Sequence, residues 1–444
     1  MPPRPESTST LSTLLADSEP APKRTRIRKE FAASFPVLIA VTLGSGLGIG
    51  SLPAFTLPLF IGPLHDAFGW PKSEVGMAYS VLTAMIFLCG PLAGRLADRL
   101  GARRVIAVSV VLFALAMVVT AQMHGSIGWF YGGYFLLGLG GAGTTYVCYA
   151  KILSARFDAG RGLALGVMMT GPGMMAVLAP LFLPAFIDAH GWRIAWLALA
   201  ALALLPLLLL FGLVHGARGT QVASRHAREG ASVAAIAEGA TLGQAVRMRQ
   251  FWLMIAATFL IMFALVGTQI NLIAVLTETG SSKAEAARLT SVLGLSMLVS
   301  RIVCGSLLDL LFAPLVGATV TLVSALGMLL AAQGGIAGAL TVIALGISLG
   351  TETDFMAYVA SRYFGLRAFS EIFGWIFGFM ALGAASSPLW TGMLQHALGT
   401  FRTGLYLSSA LLVVAAACIA ALGRYPAAYG HEASRAQGGA PEAA

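Results

Sequence analysis

The chain has 444 residues, 57% of them hydrophobic before its 52 glycines are counted, only 11% charged, and a net charge of +9. Soluble domains carry about 25% charged residues, so this chain has too few to cover a water-soluble fold of its size. Soluble enzymes, nucleic-acid readers and disordered scaffolds are poor fits, and Cys89, Cys148, Cys304 and Cys418 lie in apolar stretches at no ligand-like spacing, which argues against disulfides or a metal site.

Residues 1–30 are rich in Pro, Ser and Thr and read as a disordered tail. Stretches free of Asp, Glu, Lys and Arg follow at 31–65, 75–94, 105–150, 162–187 and 194–217. A bilayer-spanning helix takes about 20 mostly apolar residues. The third stretch therefore holds two spans with a turn near 123–127, and the five stretches make six spans. The first is too long for a secretory leader and lacks an early cleavage site, so it is expected to be a true span. A polar interval, 218–249, follows the sixth span. Its end leads into a segment, 241–252, expected to form a short interfacial helix.

The second set of stretches is 250–277, 289–308 interrupted only by Arg301, 310–351, 372–401 and 403–423. The stretch 310–351 holds one span, a turn at Gln333-Gly334-Gly335 and the start of another. Residues 425–444 read as a second disordered tail. The expected fold is an all-α membrane protein of twelve transmembrane helices, with six-helix bundles at 31–217 and 250–424.

The basic residues give an orientation. Six Lys and Arg lie in the N-terminal tail, four at 95–104, two at 156–161, five at 218–249, two at 362–367 and two more at Arg424 and Arg435. The opposite loops hold Lys72, Arg193, Lys283, Arg288 and Arg402. A split of 21 to 5 is expected to leave both termini cytoplasmic. The positive charge is thus a topology signal, and no nucleic-acid partner is implied.

The halves also repeat each other. Gly94-Arg95-Leu96-Ala97-Asp98 after span two matches Gly305-Ser306-Leu307-Leu308-Asp309 after span eight at an offset of 211. Arg156-Phe157 and Arg161 match Arg362-Tyr363 and Arg367 at 206, and Gly166 and Pro180 match Gly374 and Pro388 at 208. Such repeats mark secondary transporters, whose halves rock about a site near the bilayer midplane.

The segment Gly94-Arg-Leu-Ala-Asp98-Arg99-Leu-Gly-Ala-Arg103-Arg104 resembles the signature loop of the major facilitator superfamily, roughly G-x-L-x-D-R-x-G-R-K/R-R. The resemblance implies the major facilitator fold: two pseudo-symmetric halves with a cytoplasmic latch. Its gate residues here would be Gly94, Asp98, Arg99, Arg103, Arg104, Asp309, Arg362 and Arg367. A second set, Arg156-Phe157, Arg161-Gly162-Leu-Ala-Leu-Gly166, Gly191-Trp192-Arg193, Gly69-Trp70, Phe251-Trp252 and 362–367, resembles the monocarboxylate transporter and oxalate/formate antiporter branch. Tyr134, where many superfamily antiporters carry arginine, departs from the drug/proton antiporter pattern, and Gly171-Pro172-Gly173 matches its glycine-proline motif only in part.

Arg301 is the foremost candidate for substrate binding. A guanidinium in lipid is costly unless it faces a cavity or a partner, and its planar fork suits a carboxylate. Arg301-Ile-Val-Cys-Gly305-Ser-Leu-Leu-Asp309 also resembles the R-x3-G-x3-D pattern of carboxylate carriers, whose arginine binds the anion. Lys151 in span four is a possible second cation, but lies near the cytoplasmic end and is expected to snorkel there.

Glu352 and Asp354 lie in span ten. Two residues apart on a helix is about 200° of rotation, so they cannot share a face. Asp354 falls with Thr351 and Tyr358, and Glu352 with Ser348. One acid is expected to face the cavity and take up a proton and the other to pair with Arg301, Arg362 or Arg367; the alternative is that both belong to the latch. The resemblance places spans one, four, seven and ten around the cavity, which makes Tyr146, Tyr149, Gln269 and Asn271 candidates for binding substrate oxygens, with helix–helix contact as the alternative role.

Gly138-Leu-Gly-Gly-Ala-Gly143 fits a dinucleotide fingerprint but lies in an uncharged stretch with no strand before it, so close helix packing explains it better. The seven histidines lie in loops, tails or span ends, which leaves no site for His-based membrane catalysis. The sequence therefore predicts a secondary transporter and not an enzyme, without cofactor and monomeric. It would move a small organic anion, most readily a monocarboxylate, across the cytoplasmic (inner) membrane by alternating access, coupled to protons or to anion exchange. The alternative is a proton-driven exporter of amphiphilic compounds, for which Arg301 would be dispensable and an intramembrane acid essential.

Overall fold

The computed structural model describes residues 23–207, 239–333 and 338–426. All the extended regular elements among them are helices. Ten are long and apolar enough to cross a membrane: Arg24–Phe68, Glu74–Leu100, Ala102–Ala121, Arg161–His190, Arg249–Ile270, Val292–Leu310, Ala313–Gln333, Gly338–Phe364, Phe369–Leu398 and Arg402–Ala420. These are spans one, two, three, five and seven to twelve. The fourth place is taken by Ile127–Gly141 and Tyr146–Ser154, and the sixth by Trp192–Leu207. Leu92, Leu181, Phe182, Leu315 and Met393 are all exposed, as expected of surface that lies against lipid rather than water. The chain turns between Ala121 and Ile127, where the sequence placed a turn. The turn after Gln333 lies outside the described residues.

Three boundaries differ from expectation. The first helix begins at Lys23, inside the segment expected to be a disordered tail to residue 30, because Glu30 and Phe31 find partners in the body of the protein. Tyr425, assigned to the other tail, packs against Phe312 and Tyr363 with ring centroids 5.2 and 5.1 Å away. The interfacial helix is only Leu242–Ala245, closed by a reciprocal capping box between Thr241 and Gln244. Met248 is extended and span seven restarts at Arg249, so Trp252 belongs to the span.

Spans one and four are interrupted, and side chains from other spans serve the backbone of spans one and seven. Span one breaks between Leu47 and Leu52, and span four between Gly141 and Tyr146. The two breaks face each other. Thr144 Oγ1 accepts from the Ile49 amide at 3.0 Å, and Tyr146 donates to the Gly50 carbonyl at 3.0 Å. In span seven, the amide of Gly267 donates to Ser387 Oγ at 2.6 Å, and that hydroxyl donates to the Phe263 carbonyl at 2.6 Å. Ser387 of span eleven is thus inserted into the helical ladder.

The halves meet through two pseudo-equivalent helix pairs: span two on span eleven and span five on span eight. A Cβ on Gly305 would stand 2.7 Å from the Gly162 carbonyl oxygen, and one on Gly94 would stand 3.0 Å from the Glu371 nitrogen and closer still to the Ser370 carbonyl. Neither neighbour is a movable side chain, so both positions demand glycine. The two glycines are the repeat mates found in the sequence, and each lets its helix press on the start of a helix from the other half. Gly305→Val should therefore pry spans five and eight apart on the basic side of the bundle. The measurement is the rate at which a maleimide labels a cysteine placed at Leu308, which is buried in the closed arrangement. A rate equal to that of the Leu308→Cys parent would refute the close-packing account.

Candidate functional site

Arg301 and Asp354 lie at the same depth. Arg301 is nine residues from the Leu310 end of span eight and Asp354 ten from the Phe364 end of span ten, about 14–15 Å along each axis. Spans eight and ten are drawn together by Gly346 and Gly350, whose missing side chains admit Ser296 and Met297. Arg301 Nη1 then stands 3.5 Å from Asp354 Oδ1. This is an ion pair, but neither Arg301 Nη1 nor either Asp354 oxygen has a hydrogen-bond partner among the described residues. The arginine side chain keeps 14% of its surface accessible and the aspartate 1%. An anion can therefore approach the guanidinium, whose fork still has N–H groups to give, while the acid balances its charge on the Nη1 side.

Tyr146 faces this pair from the other half. It lies within electrostatic range of both Arg301 and Asp354, and its ring meets Phe377 of span eleven edge-on at 5.5 Å. Its hydroxyl already serves Gly50 and Ser51, the latter at 2.8 Å, so Tyr146 is a structural bridge as well as a wall. Tyr149 is fully buried against Gly44 of span one, and its hydroxyl has no partner among the described residues. Gln269 is half-buried, one residue before the end of span seven. Asn271 spends its amide on the Gly267 carbonyl at 2.9 Å, closing the end of that helix. Glu352 is 4% exposed, and neither of its oxygens has a partner among the described residues. The structure thus joins Asp354 with Arg301 and leaves Glu352 apart from both.

The basic side carries a second constellation. Asp98 accepts from the amides of Ser370 (3.1 Å) and Glu371 (2.8 Å), the second and third residues of span eleven. Asp309 accepts from those of Gly162 (2.8 Å) and Leu163 (3.0 Å), the second and third residues of span five. Each acid therefore acts as an N-cap for a helix of the opposite half, satisfying two free donors and meeting the positive end of the helix dipole. Gly94, one turn before Asp98, provides the close approach. Lys151 does not snorkel outward: it is buried and forms an ion pair with Asp98. A buried ammonium needs a partner more than it needs the interface.

The remaining gate candidates divide. Arg362 donates to Asp158 Oδ1 and to its carbonyl, both at 3.0 Å, and lies over the Tyr358 ring. Arg161 donates to the same carboxylate at 3.3 Å and to Ser361 of the other half at 2.9 Å. Arg99, Arg104 and Arg367 are exposed, and Arg103 is half-buried. Sequence reasoning missed Asp158, the acid shared by three arginines, although a lone carboxylate between Arg156 and Arg161 was the available signal. It also missed Glu371, which Arg95 approaches to 3.6 Å.

A helical bundle with broken spans, an intramembrane ion pair within its second half and trans-caps that pair the two halves defines a multi-pass membrane transporter. The chain belongs to the Major Facilitator Superfamily, whose family model matches residues 35–388. Among its relatives, human monocarboxylate transporter 11 is 25% identical over 384 residues, covering 83% of this chain and 78% of that protein. The uncharacterized MFS-type transporter YhjX of Escherichia coli (strain K12) is 23% identical, covering 77% of this chain and 84% of that one. Other matches are shorter: human monocarboxylate transporter 6 is 28% identical over 37% of this chain and 32% of its own length. In structure, the E. coli fucose:proton symporter FucP superposes with a TM-score of 0.67 at 16% identity, covering 89% of this chain and 100% of that one. The human organic anion transporter MFSD10 superposes with a TM-score of 0.62 at 17% identity, covering 90% and 100%.

Proposed function

We propose that this chain carries a small organic anion, most readily a monocarboxylate, across the cytoplasmic membrane with both termini inside. The observation that carries the reading is the Arg301–Asp354 geometry: a reachable guanidinium, held in place but not consumed by its acid. Naming of several relatives as monocarboxylate transporters supports the same substrate class. The substrate carboxylate docks on the Arg301 fork between the halves, with Tyr146 and Phe377 walling the apolar remainder. With the basic side cytoplasmic, the trans-capped arrangement is the state closed to the cytoplasm. Opening exchanges the Asp98 and Asp309 caps for water, and the substrate leaves on the other side. Such a cycle needs comparable substrate affinity in both states and no conversion of the carrier with only one of anion and proton bound.

Asp354 is the coupling group in this reading. As substrate occupies Arg301, the acid loses its share of the guanidinium and takes a proton that crosses with the anion. The test is transport in proteoliposomes loaded with candidate carboxylates. For the parent, uptake should respond to an imposed pH gradient. Asp354→Asn fixes the neutral state, so counter-anion exchange should persist while pH-driven accumulation is lost. Accumulation by Asp354→Asn under a pH gradient would exclude this residue as the coupling site. An Arg301→Ala protein that still transports would instead favour the exporter alternative.

A further inference from the structure

The loop that carries Asp158 is itself held, by a segment of the chain with no place in the transport cycle so far. Glu30, in the helix leading into span one, accepts from three consecutive amides: Asp158 at 3.3 Å, Ala159 at 3.1 Å and Gly160 at 3.0 Å. Phe31 packs edge-on against Phe157 at 5.0 Å, and a Cβ on Gly160 would stand 2.9 Å from the Phe31 ring. Arg26 reaches Asp158 Oδ2 at 3.7 Å. The opposite oxygen of that carboxylate holds Arg362 of the second half at 3.0 Å and Arg161 at 3.3 Å.

The second half repeats the arrangement by different means. There the chain entering span seven grips the matching loop between spans ten and eleven. Gly239 bridges Gly365, and the Ala240 amide donates to the Phe364 carbonyl at 2.8 Å. In both halves, then, the segment leading into the first span of the half holds the loop before its fifth span. Backbone does this in the second half; in the first, one carboxylate takes all three of the loop amides.

We infer that Glu30 is a positioning residue of the transport cycle: it fixes loop 158–160 so that Asp158 is presented to Arg362, and thereby strengthens closure on the basic side. A carboxylate taking three backbone N–H groups forms charge-assisted bonds, each about twice as strong as a neutral one. Its loss frees the loop backbone, and with it the aim of Asp158. Because Glu30 touches neither Arg301 nor Asp354, it acts on the balance of states and leaves the binding site alone. The inference rests on the alternating-access reading but not on the identity of the substrate.

The test reads conformation directly and needs no substrate. In a background with all four cysteines replaced by alanine, spin labels are placed at the exposed Leu100 and Leu310, at the basic-side ends of spans two and eight. Pulsed-dipolar distances are then compared for the parent, Glu30→Gln, Arg362→Gln and the double variant. Glu30→Gln should move population to longer distances, Arg362→Gln should do the same, and the double variant should add little, because both break one linkage. Glu30→Asp should fall between parent and Gln. An unchanged distribution in Glu30→Gln while Arg362→Gln shifts would overturn the role of Glu30 alone. If neither shifts, the Asp158 linkage has no part in closure and both readings fall. Should Glu30→Gln not fold, Glu30→Asp serves in its place with a smaller shift expected, and no shift there overturns the proposal.

Discussion

Arg301→Ala should reduce carboxylate uptake by roughly two orders of magnitude or more, because truncating one partner of a buried charge pair costs about 2–5 kcal/mol. Part of that loss would be the cost of stranding Asp354, which is 1% exposed and has no other ionic partner among the described residues. The two contributions separate in a double-mutant cycle. Arg301→Ala with Asp354→Asn removes the stranded charge, so thermal stability in detergent should recover while uptake stays lost. Arg301→Lys should retain the charge but not the planar two-point contact, leaving roughly a tenth of the parent uptake. The assay is initial-rate uptake of labelled carboxylates by proteoliposomes, with the amount of inserted protein matched. Recovery of uptake in the double variant would show that Arg301 serves structure and not the substrate.

Asp98→Ala should have the largest effect on the balance between states. In the closed arrangement Asp98 meets two amides of span eleven and the ammonium of Lys151, and the side chains of the ion pair are only 9% and 7% exposed. Removing one member of such a pair costs about 3–5 kcal/mol where the other is left buried. The penalty falls on the closed state alone, since opening lets water reach both Lys151 and the amides. A differential of about 3 kcal/mol changes the ratio of two states by roughly 150-fold, enough to invert a population that was mostly closed. Ser370→Cys reports this directly: Ser370 is fully buried, and its labelling by a maleimide should be slow in the parent and fast after Asp98→Ala. Equal rates would mean that the trans-cap does not hold the halves. Lys151→Gln should give a smaller shift, because Asp98 then keeps its two amides.

Much of this architecture was legible because the membrane imposes a one-dimensional code. Charge-free stretches located the spans, and repeat mates such as Gly94 with Gly305 and Asp98 with Asp309 turned out to occupy equivalent places against the opposite half. Arg301 stood out because charge is scarce in those stretches. What stayed hidden was pairing across long separations. The helical wheel separates Glu352 from Asp354, but only the packing of spans eight and ten says that Asp354 meets Arg301. Lys151 seemed close enough to the water to reach it; Asp98, 53 residues away, is nearer. Asn271 looked like a ligand for substrate because nothing in sequence announces that a helix will end at Ile270 and need its amide. Glu30 was taken into a tail because its partners are backbone amides, and these leave no trace in composition.

The crossing of the broken helices has a consequence for biogenesis. An amide or carbonyl without a partner cannot rest in lipid at low cost, so span one, with Ile49 and Gly50 served by Thr144 and Tyr146, is not a finished membrane segment when it leaves the ribosome. It has to wait for span four, and span seven has to wait for Ser387 of span eleven. Each half is thus expected to enter the bilayer as a cohort released together by the insertion machinery, and chains truncated between spans one and four should be held there or degraded.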